Sequence, residues 1–413
     1  MNQSCKPAFR VVFVSLGGTK LQISAISEDL HVLSDGQIRW RGVPEFSNCL
    51  ADETATAFCD ALARSIRDFL QRHGRTWTDV GLIGFGLPGP CIGGRWYSFN
   101  LTKAFVDGVD LAGDFTRSVS ALSGGLCPPV RVALDAQCDA GGELYHPLGR
   151  LNDLHRTGSA RAGTVVNVAT GIAAGFILEG KVLVTDEDFS RISAQYDSGA
   201  GQIGRHLWLH AKTGEWQYHY APNGRVPSVS EATRMTELLS GPALAARLLC
   251  LLGHNNCLAM LDWTDTQVTV EDIHRIWCEL RVENDPTKRS QRVRREAKPL
   301  ATAVLAWADQ VYAHGLGAGS LPGLIRAFAR DIAGEFANAI RAWAAAPGWR
   351  PLLQSVVLTG GAGINLFASA DFDSQRSFCT ILNDALPSGI TAQRSRLLDS
   401  AERGAYLFLR QYT

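Results

Sequence analysis

At 413 residues the chain is long enough for two or three domains and a large buried core. Its apolar content of 46% with 19% charged residues excludes a disordered polymer. Lys+Arg and Asp+Glu both number 40, so the balance favours neither nucleic acid nor an anionic membrane surface as a partner. No apolar run approaches the roughly 18 residues of a membrane span. The first residues, MNQSCKPAFR, hold no apolar core of a signal peptide, so a cytoplasmic protein is expected. The ten cysteines are scattered without a Cys-x-x-Cys pair, which reads as small buried thiols; no zinc is expected.

Taken in chain order, β-rich runs at 11–15, 21–26 and 30–40 predict a meander, and Thr54 to Gln71 carries helical spacing of apolar residues. Val80 to Gly86 reads as a strand that runs into the loop of Gly86, Pro88 and Gly89. Leu111 to Leu122 reads as a helix and Val130 to Leu134 as a strand. From Gly163 the strand, turn and helix order begins again, as if a second α/β unit repeated the first. Its predicted helices are Glu231 to Leu252, Val270 to Leu280, Lys298 to Tyr312 and Ile325 to Ala346, followed by a strand at Ser355. The basic run Asn284 to Lys298 reads as a solvated loop and helix face. The amphipathic segment Ala401 to Tyr412 is expected to pack back on the first unit.

Three glycine turns follow three apolar strands. The first, Gly17-Gly18-Thr19-Lys20, combines a tight backbone with a hydroxyl and a positive charge, a set suited to a phosphate, although Gly-Gly also makes ordinary hairpins. The second is Thr170-Gly171 and the third Gly360-Gly361-Ala362-Gly363. Asp135 ends the strand Val130 to Leu134, where a carboxylate either faces a cleft as a general base or caps the helix that follows. Asp139 and Glu143 lie at i+4 and i+8 on one helical face and read as solvated. His206 and His210, set amid Trp and Leu, read as structural rather than as metal ligands.

The order LGGTK, GFGLPGP, FNL, LDAQCDAGGE, ATGIAAG, GAGQIG, LLSGPAL, LTGGAG resembles the ROK family (repressor, open reading frame, kinase) and its glucokinase relatives, of the hexokinase, actin and heat-shock-protein-70 superfamily. The resemblance implies two actin-like, ribonuclease H-like α/β domains with a nucleotide and substrate cleft between them. Residues 1–134 plus 396–413 would form the small domain, and 135–395 the large one with helical insertions. It further implies ATP-dependent phosphorylation of a hydroxyl on a sugar, amino sugar or nucleoside-like alcohol, with Asp135 as general base. Gly17, Gly18, Thr19, Lys20, Thr170, Gly171, Gly360, Gly361 and Gly363 would hold ATP with Mg2+. Gly86, Pro88, Gly89, Asn100, Gln202, Arg205 and His206 would approach the acceptor.

Several positions depart from the family pattern. Ser15 stands where the family has the Asp that helps hold hydrated magnesium, and Leu134 where it has a sugar-binding Asn. Gly201-Gln202-Ile203-Gly204-Arg205 replaces Gly-Glu-x-Gly-His, with His206 one place late. The Glu expected before Ser-Gly-Pro falls near Thr236, unless Glu237 substitutes, and the cysteine-rich zinc motif is missing. These losses lie on the acceptor and metal side, so glucose is not the expected substrate. They leave open a catalytically repurposed enzyme of the same fold, acting on a nucleotide, nucleoside or sugar, or a ligand-binding pseudokinase. Family repressors carry a helix-turn-helix ahead of the kinase-like part; with the first loop at Gly17 that reading is set aside, and a small molecule rather than nucleic acid is the expected partner. The segments 284–295 and 314–323 are extra relative to compact relatives and would cover the cleft or form an oligomer contact, so a homodimer stays open.

Overall fold

A computed structural model of the chain describes residues 8–16, 21–27, 29, 31–34, 55–98, 105, 107–152, 162–220, 231–255, 301–314, 321–361, 378–397 and 400–412. The first sheet opens with β1 (Phe9–Leu16), β2 (Leu21–Ser27) and β3 (Val32–Ser34). Helix α1 (Ala55–Arg72) buries Phe58, Leu62, Ile66 and Phe69 along one stripe, the spacing that predicts it. Then come β4 (Ile83–Leu87), a small hairpin of β5 (Cys91–Ile92) and β6 (Arg95–Trp96), α2 (Leu111–Ser123) and β7 (Val130–Leu134). Asp110 caps α2 by accepting the Gly113 amide at 2.9 Å, and Gly124, at φ +73°, ends it.

Helix α3 (Asp135–Tyr145) leads into the second sheet, built from β8 (Gly163–Val168), β9 (Ile172–Leu178) and β10 (Lys181–Val182). Next are α4 (Asp186–Ser190), a 3-10 turn over Ser198–Gly201, α5 (Ile203–His206), β11 (Leu207–His210), β12 (Trp216–Tyr218) and β13 (Ala232–Arg234). The chain continues through α6 (Met235–Leu239), α7 (Gly241–His254), α8 (Ala301–His314), α9 (Leu321–Ala345), β14 (Ser355–Thr359), α10 (Phe378–Ala385), β15 (Thr391–Arg394) and α11 (Ser400–Gln411).

The fold is α/β with two five-stranded sheets of one design. The orders are β3-β2-β1-β4-β7 and β10-β9-β8-β14-β15. In each, the first three strands are antiparallel neighbours and the last two add in parallel. The restart read at Gly163 is this repetition.

Alternation along the strands divides the core. On β1, Val12, Val14 and Leu16 pack with α1 and α2, while Val11 and Phe13 face the opposite layer. On β8 and β14, Val165 and Val357 face that same middle layer, whereas Val166 and Leu358 join the helical side of the second sheet. The middle layer holds Ala140 and Leu144 of α3 with Leu407 and Phe408 of α11, so the two helices lie between the sheets. Glycines let them approach: a Cβ on Gly84 would enter the Phe408 ring, one on Gly404 the Phe13 ring, and one on Gly141 would meet Leu407.

The structure divides what reads as one helix, Glu231 to Leu252. Residues 232–234 join β11 as an edge strand, α6 ends at Leu239, and Ser240 is extended before α7 restarts. Pro242 lies in the first turn of α7, where a residue without an N–H starts a helix but does not continue one. Val270 to Leu280, the segment 284–295 and most of 30–40 lie outside the described residues.

Gly84→Ala drives a methyl into a fixed aromatic ring between strand and helix. It is expected to lower the unfolding free energy by about 1–3 kcal/mol, read as a lower urea midpoint at unchanged slope.

Candidate active site

Parallel pairing sets the carboxyl ends of three strands side by side. Ser15 on β1 is in register with Gly86 on β4, and Gly86 with Ala133, Leu87 with Leu134 on β7. Asp135 is the next residue and the first of α3, so it sits where the strands of the first sheet end, the usual place for ligands of open α/β sheets. It is not the cap: Leu134 holds that position, its amide donating to Gln137 Oε1 at 2.9 Å, while Gln137 Nε2 donates to the Val184 carbonyl at 3.2 Å. Asp135 Oδ1 accepts the Ala136 amide at 2.8 Å. Desolvation and then the charge of Asp139 push its carboxyl up to about 7, against the smaller pull of the Ala136 amide. A carboxylate that titrates near neutrality is suited to taking a proton from a hydroxyl.

The carboxylates read as solvated are buried. Asp139 is 3% exposed and accepts Asn167 Nδ2 at 2.6 Å; Glu143 is fully buried, accepting the Arg150 amide at 2.8 Å and the Ser395 hydroxyl. The i, i+4, i+8 spacing is the predicted one, but α3 has no solvent face because sheets or α11 cover each side. Glu143 thereby anchors the ends of β15 and of the α3 connection. Asp139 adds negative charge one turn behind Asp135, an effect invisible without knowing that the face is dry.

On the second sheet, β8 and β9 join through a turn in which the Ala169 amide donates to the Gly171 carbonyl at 2.9 Å, leaving Thr170 exposed. The Gly241 amide donates to the Ala169 carbonyl at 2.9 Å, setting the N-terminus of the 14-residue helix α7 beside Thr170 and Gly171. Helix N-termini attract phosphate. The LLSGPAL segment was the available signal for this placement. Thr359 is in register with Asn167, so the turn at Gly360 and Gly361 adjoins the same end of the sheet. Gly360 has φ +84°, and a Cβ there would run into Asn167 Oδ1; Gly361 and Gly171 open onto free space. Residues Gly17, Gly18, Thr19 and Lys20, together with Asn100 and Gly363, lie outside the described residues.

The acceptor-side positions converge only in part. A Cβ on Gly86 would come within 2.8 Å of Phe13 and 3.0 Å of Cys138, and one on Gly89, at φ +134°, would strike the Tyr97 carbonyl. These glycines let the loop with Pro88 close down beside Asp135. Gly201 abuts Leu134, with a Cβ there 2.9 Å from Leu134 Cδ2. Leu134 is buried with Ala136 and Ala173, an apolar patch where the family pattern has an amide. Gln202 and Arg205 are half-buried at the start of α5, and Gly204 lies against the Thr236 hydroxyl. Glu237 instead accepts the Arg234 amide at 3.2 Å as a cap of α6.

His206 turns inward. It is fully buried, with Nε2 3.1 Å from the Gly199 carbonyl and Nδ1 3.2 Å from that of His219, and desolvation lowers it to about 4, so the ring is neutral. It orders its loop and presents no ring nitrogen to a ligand. The segment Arg205 to Tyr220 forms β11 and β12 with their turn; Arg234 stacks over Trp208 at 4.8 Å and Tyr218 and Tyr196 pack on Trp349. Among the described residues no group of three or more His, Cys, Asp or Glu side chains gathers as a metal site, and no helix is long and apolar enough to cross a membrane.

The order of turns that resembles the ROK family has a direct counterpart. Residues 11–186 match the ROK family model. The matched region runs from β1 through Asp135 and the Thr170 turn. Among solved structures, a candidate sugar kinase from Cytophaga hutchinsonii aligns with TM-score 0.54 at 13% identity, covering 97% of this chain and 99% of that one. A ROK family protein from Streptococcus pneumoniae, solved with sucrose, aligns with TM-score 0.50 at 14% identity over 97% and 98%. At such identities the likeness is one of fold. No curated protein sequence matches the chain.

Because folding raises the proton affinity of Asp135, its protonated form favours the fold. That contribution is complete below the ordinary carboxylate value of 3.8 and is lost as pH rises through about 7. Asp135→Asn, which stays neutral, is therefore expected to gain stability relative to the native chain by about 1–3 kcal/mol between pH 4 and pH 8, read from urea midpoints at both.

Proposed function

We propose that the protein is a phosphotransferase that moves the γ-phosphoryl group of ATP to a hydroxyl of a sugar, amino sugar or nucleoside-like alcohol other than glucose. The observation that carries this reading is Asp135, a carboxyl at the carboxyl end of β7 that titrates near 7 beside the β4 glycine loop. In this reading residues 1–134 with 396–413 and residues 135–395 are the two units bordering the cleft.

The donor set suits a nucleotide better than a protein-bound metal. Thr170 offers a hydroxyl, the α7 N-terminus the positive end of its dipole, and Gly171 and Gly361, open onto free space, leave room for close approach. Gly17, Gly18, Thr19, Lys20 and Gly363 complete this set on the strength of the family resemblance. Ser15 brings no charge, so magnesium would come with the phosphates rather than on a carboxylate pair of the protein. Bound ATP with its cation supplies the transferable group and charge compensation; the residues of this chain hold the partners in line and take the proton. The acceptor hydroxyl gives its proton to Asp135 as its oxygen bonds to the γ-phosphorus, the bond from that phosphorus to the β,γ-bridging oxygen breaks, and ADP leaves. Gly86, Pro88, Gly89, Asn100, Gln202 and Arg205 shape the acceptor side, with His206 setting the loop that carries two of them. Loss of the amide at Leu134 and of the acidic and imidazole positions at Gln202 and Arg205 argues against a fully hydroxylated hexose.

The test is acceptor-dependent ADP release across sugars, amino sugars and nucleosides, with glucose expected to be silent. Asp135→Asn is expected to cut kcat by about a thousand-fold. For the native chain kcat/KM for the acceptor should fall ten-fold per pH unit below about 7 and level off above, because only ionised Asp135 accepts the proton. Retained turnover in Asp135→Asn sinks the assignment.

Ser15 favours a second reading, a ligand-binding or repurposed relative of the same fold. Under it the native chain binds ATP in calorimetry without acceptor-dependent turnover, and Ser15→Asp, in register with the Gly86 loop, restores release of ADP. A native chain already active with magnesium and an acceptor removes it.

A further inference from the structure

Asp186 stands outside every motif singled out above, yet its carboxylate joins the two loops on the acceptor side. Oδ2 accepts the Gly93 amide at 2.8 Å, at the tip of the β5–β6 hairpin, and Oδ1 accepts the Ser198 amide at 2.9 Å. A third bond closes the circuit, from the Ser198 hydroxyl to the Cys91 carbonyl at 2.7 Å. Asp186 begins α4, but it does not serve that helix: Asp188 accepts the Val184 and Thr185 amides at 2.9 Å and performs the capping. Its two oxygens are thus committed to two segments about a hundred residues apart in sequence, one from each half of the fold.

Both segments lie against β7, the strand that leads into Asp135. The hairpin follows the Gly86 to Gly89 loop directly, and its turn, Gly93 and Gly94 at φ +56° and +75°, exposes the amide that Asp186 takes. Ser198, 1% exposed, opens the turn whose Gly201 rests on Leu134. Asp197 reinforces that turn by accepting the Gly199 amide at 2.8 Å, and its own amide donates to the Tyr220 hydroxyl at 3.0 Å.

We infer that Asp186 is a positioning residue that clasps the β5–β6 hairpin to the Ser198–Gly201 turn and so fixes the spacing of the acceptor pocket. The inference rests on the phosphotransferase reading for the identity of the pocket, though the clasp itself does not. Asparagine is the discriminating substitution, because its size is conserved but its NH2 would face one amide donor and repel it, while its uncharged oxygen would hold the other amide more weakly, so both loops loosen. Charge-assisted bonds of this kind, made between loops, favour one arrangement of the pocket over many.

The experiment compares the native chain with Asp186→Asn and Ser198→Ala by hydrogen–deuterium exchange and by steady-state kinetics with whichever acceptor the screen identifies. In Asp186→Asn, peptides covering residues 88–98 and 195–204 should both exchange faster while 163–175 stays unchanged. The acceptor KM should rise about ten-fold with the ATP KM and kcat held within about three-fold. Ser198→Ala should move the same quantities less. Unchanged exchange in either segment, or equal rises in both KM values, overturns the inference. Should no acceptor be turned over by the native chain, the phosphotransferase reading falls; faster exchange of both segments would then sustain the clasp, and unchanged exchange would end it.

Discussion

The structure depends on one helix having nowhere to meet water. Helix α3 leaves the first sheet at Leu134 and runs against β8 and β9 of the second, with α11 along its remaining side, so every residue from Ala136 to Tyr145 is buried. Such a helix gains little from propensity, since Gly141 and Gly142 each cost about 1 kcal/mol relative to alanine. The glycines give proximity in return: Gly141 admits Leu407, and Gly175 on β9 admits the Ala136 carbonyl. The same contact that joins the two sheets fixes where the first residue of α3 stands.

That burial governs the chemistry as well as the packing. A carboxyl at the end of a strand and the start of a helix would ordinarily ionise with ease, helped by the dipole of the helix it opens. Asp135 does not, because desolvation and the buried charge of Asp139 outweigh the dipole and the Ala136 amide. The polar side of the middle layer is held by specific partners: the Asn167 side chain for Asp139, the Arg150 backbone amide and the Ser395 hydroxyl for Glu143. Removing one partner from such a pair leaves a buried charge unsatisfied, so these side chains secure the arrangement of helices between sheets even where they touch no substrate.

In the proposed reading the two sides of the cleft differ in how they are built. The proposed nucleotide side is formed by main chain, the Thr170–Gly171 turn, Gly361 and the start of α7. The proposed acceptor side relies on side chains, an apolar Leu134 and a buried, neutral His206 whose single ring N–H serves one of the two carbonyls it faces. The region matching the ROK model ends at residue 186, so Ser15 and Leu134 lie inside it and Gln202 and Arg205 beyond it.

Much of this was legible in the chain itself. Apolar β-rich runs and glycine turns located β1, β4, β7, β8 and β14 to within about three residues, and the repeated strand order from Gly163 foretold the second sheet. The placement of Asp135 after Leu134 needed only the end of a strand. What the sequence could not say is which faces are dry. Helical spacing put Asp139 and Glu143 on one face, and only packing between two sheets made that face interior. Residues such as Asp186, whose partners Gly93 and Ser198 are distant in the chain, carry no local signature, since a carboxylate accepting two amides looks in sequence like any acidic helix start. Strand positions and turn chemistry are largely local and were readable; register across the sheets, desolvation and long-range hydrogen bonds are properties of the assembled layers, and only the tertiary structure decided them.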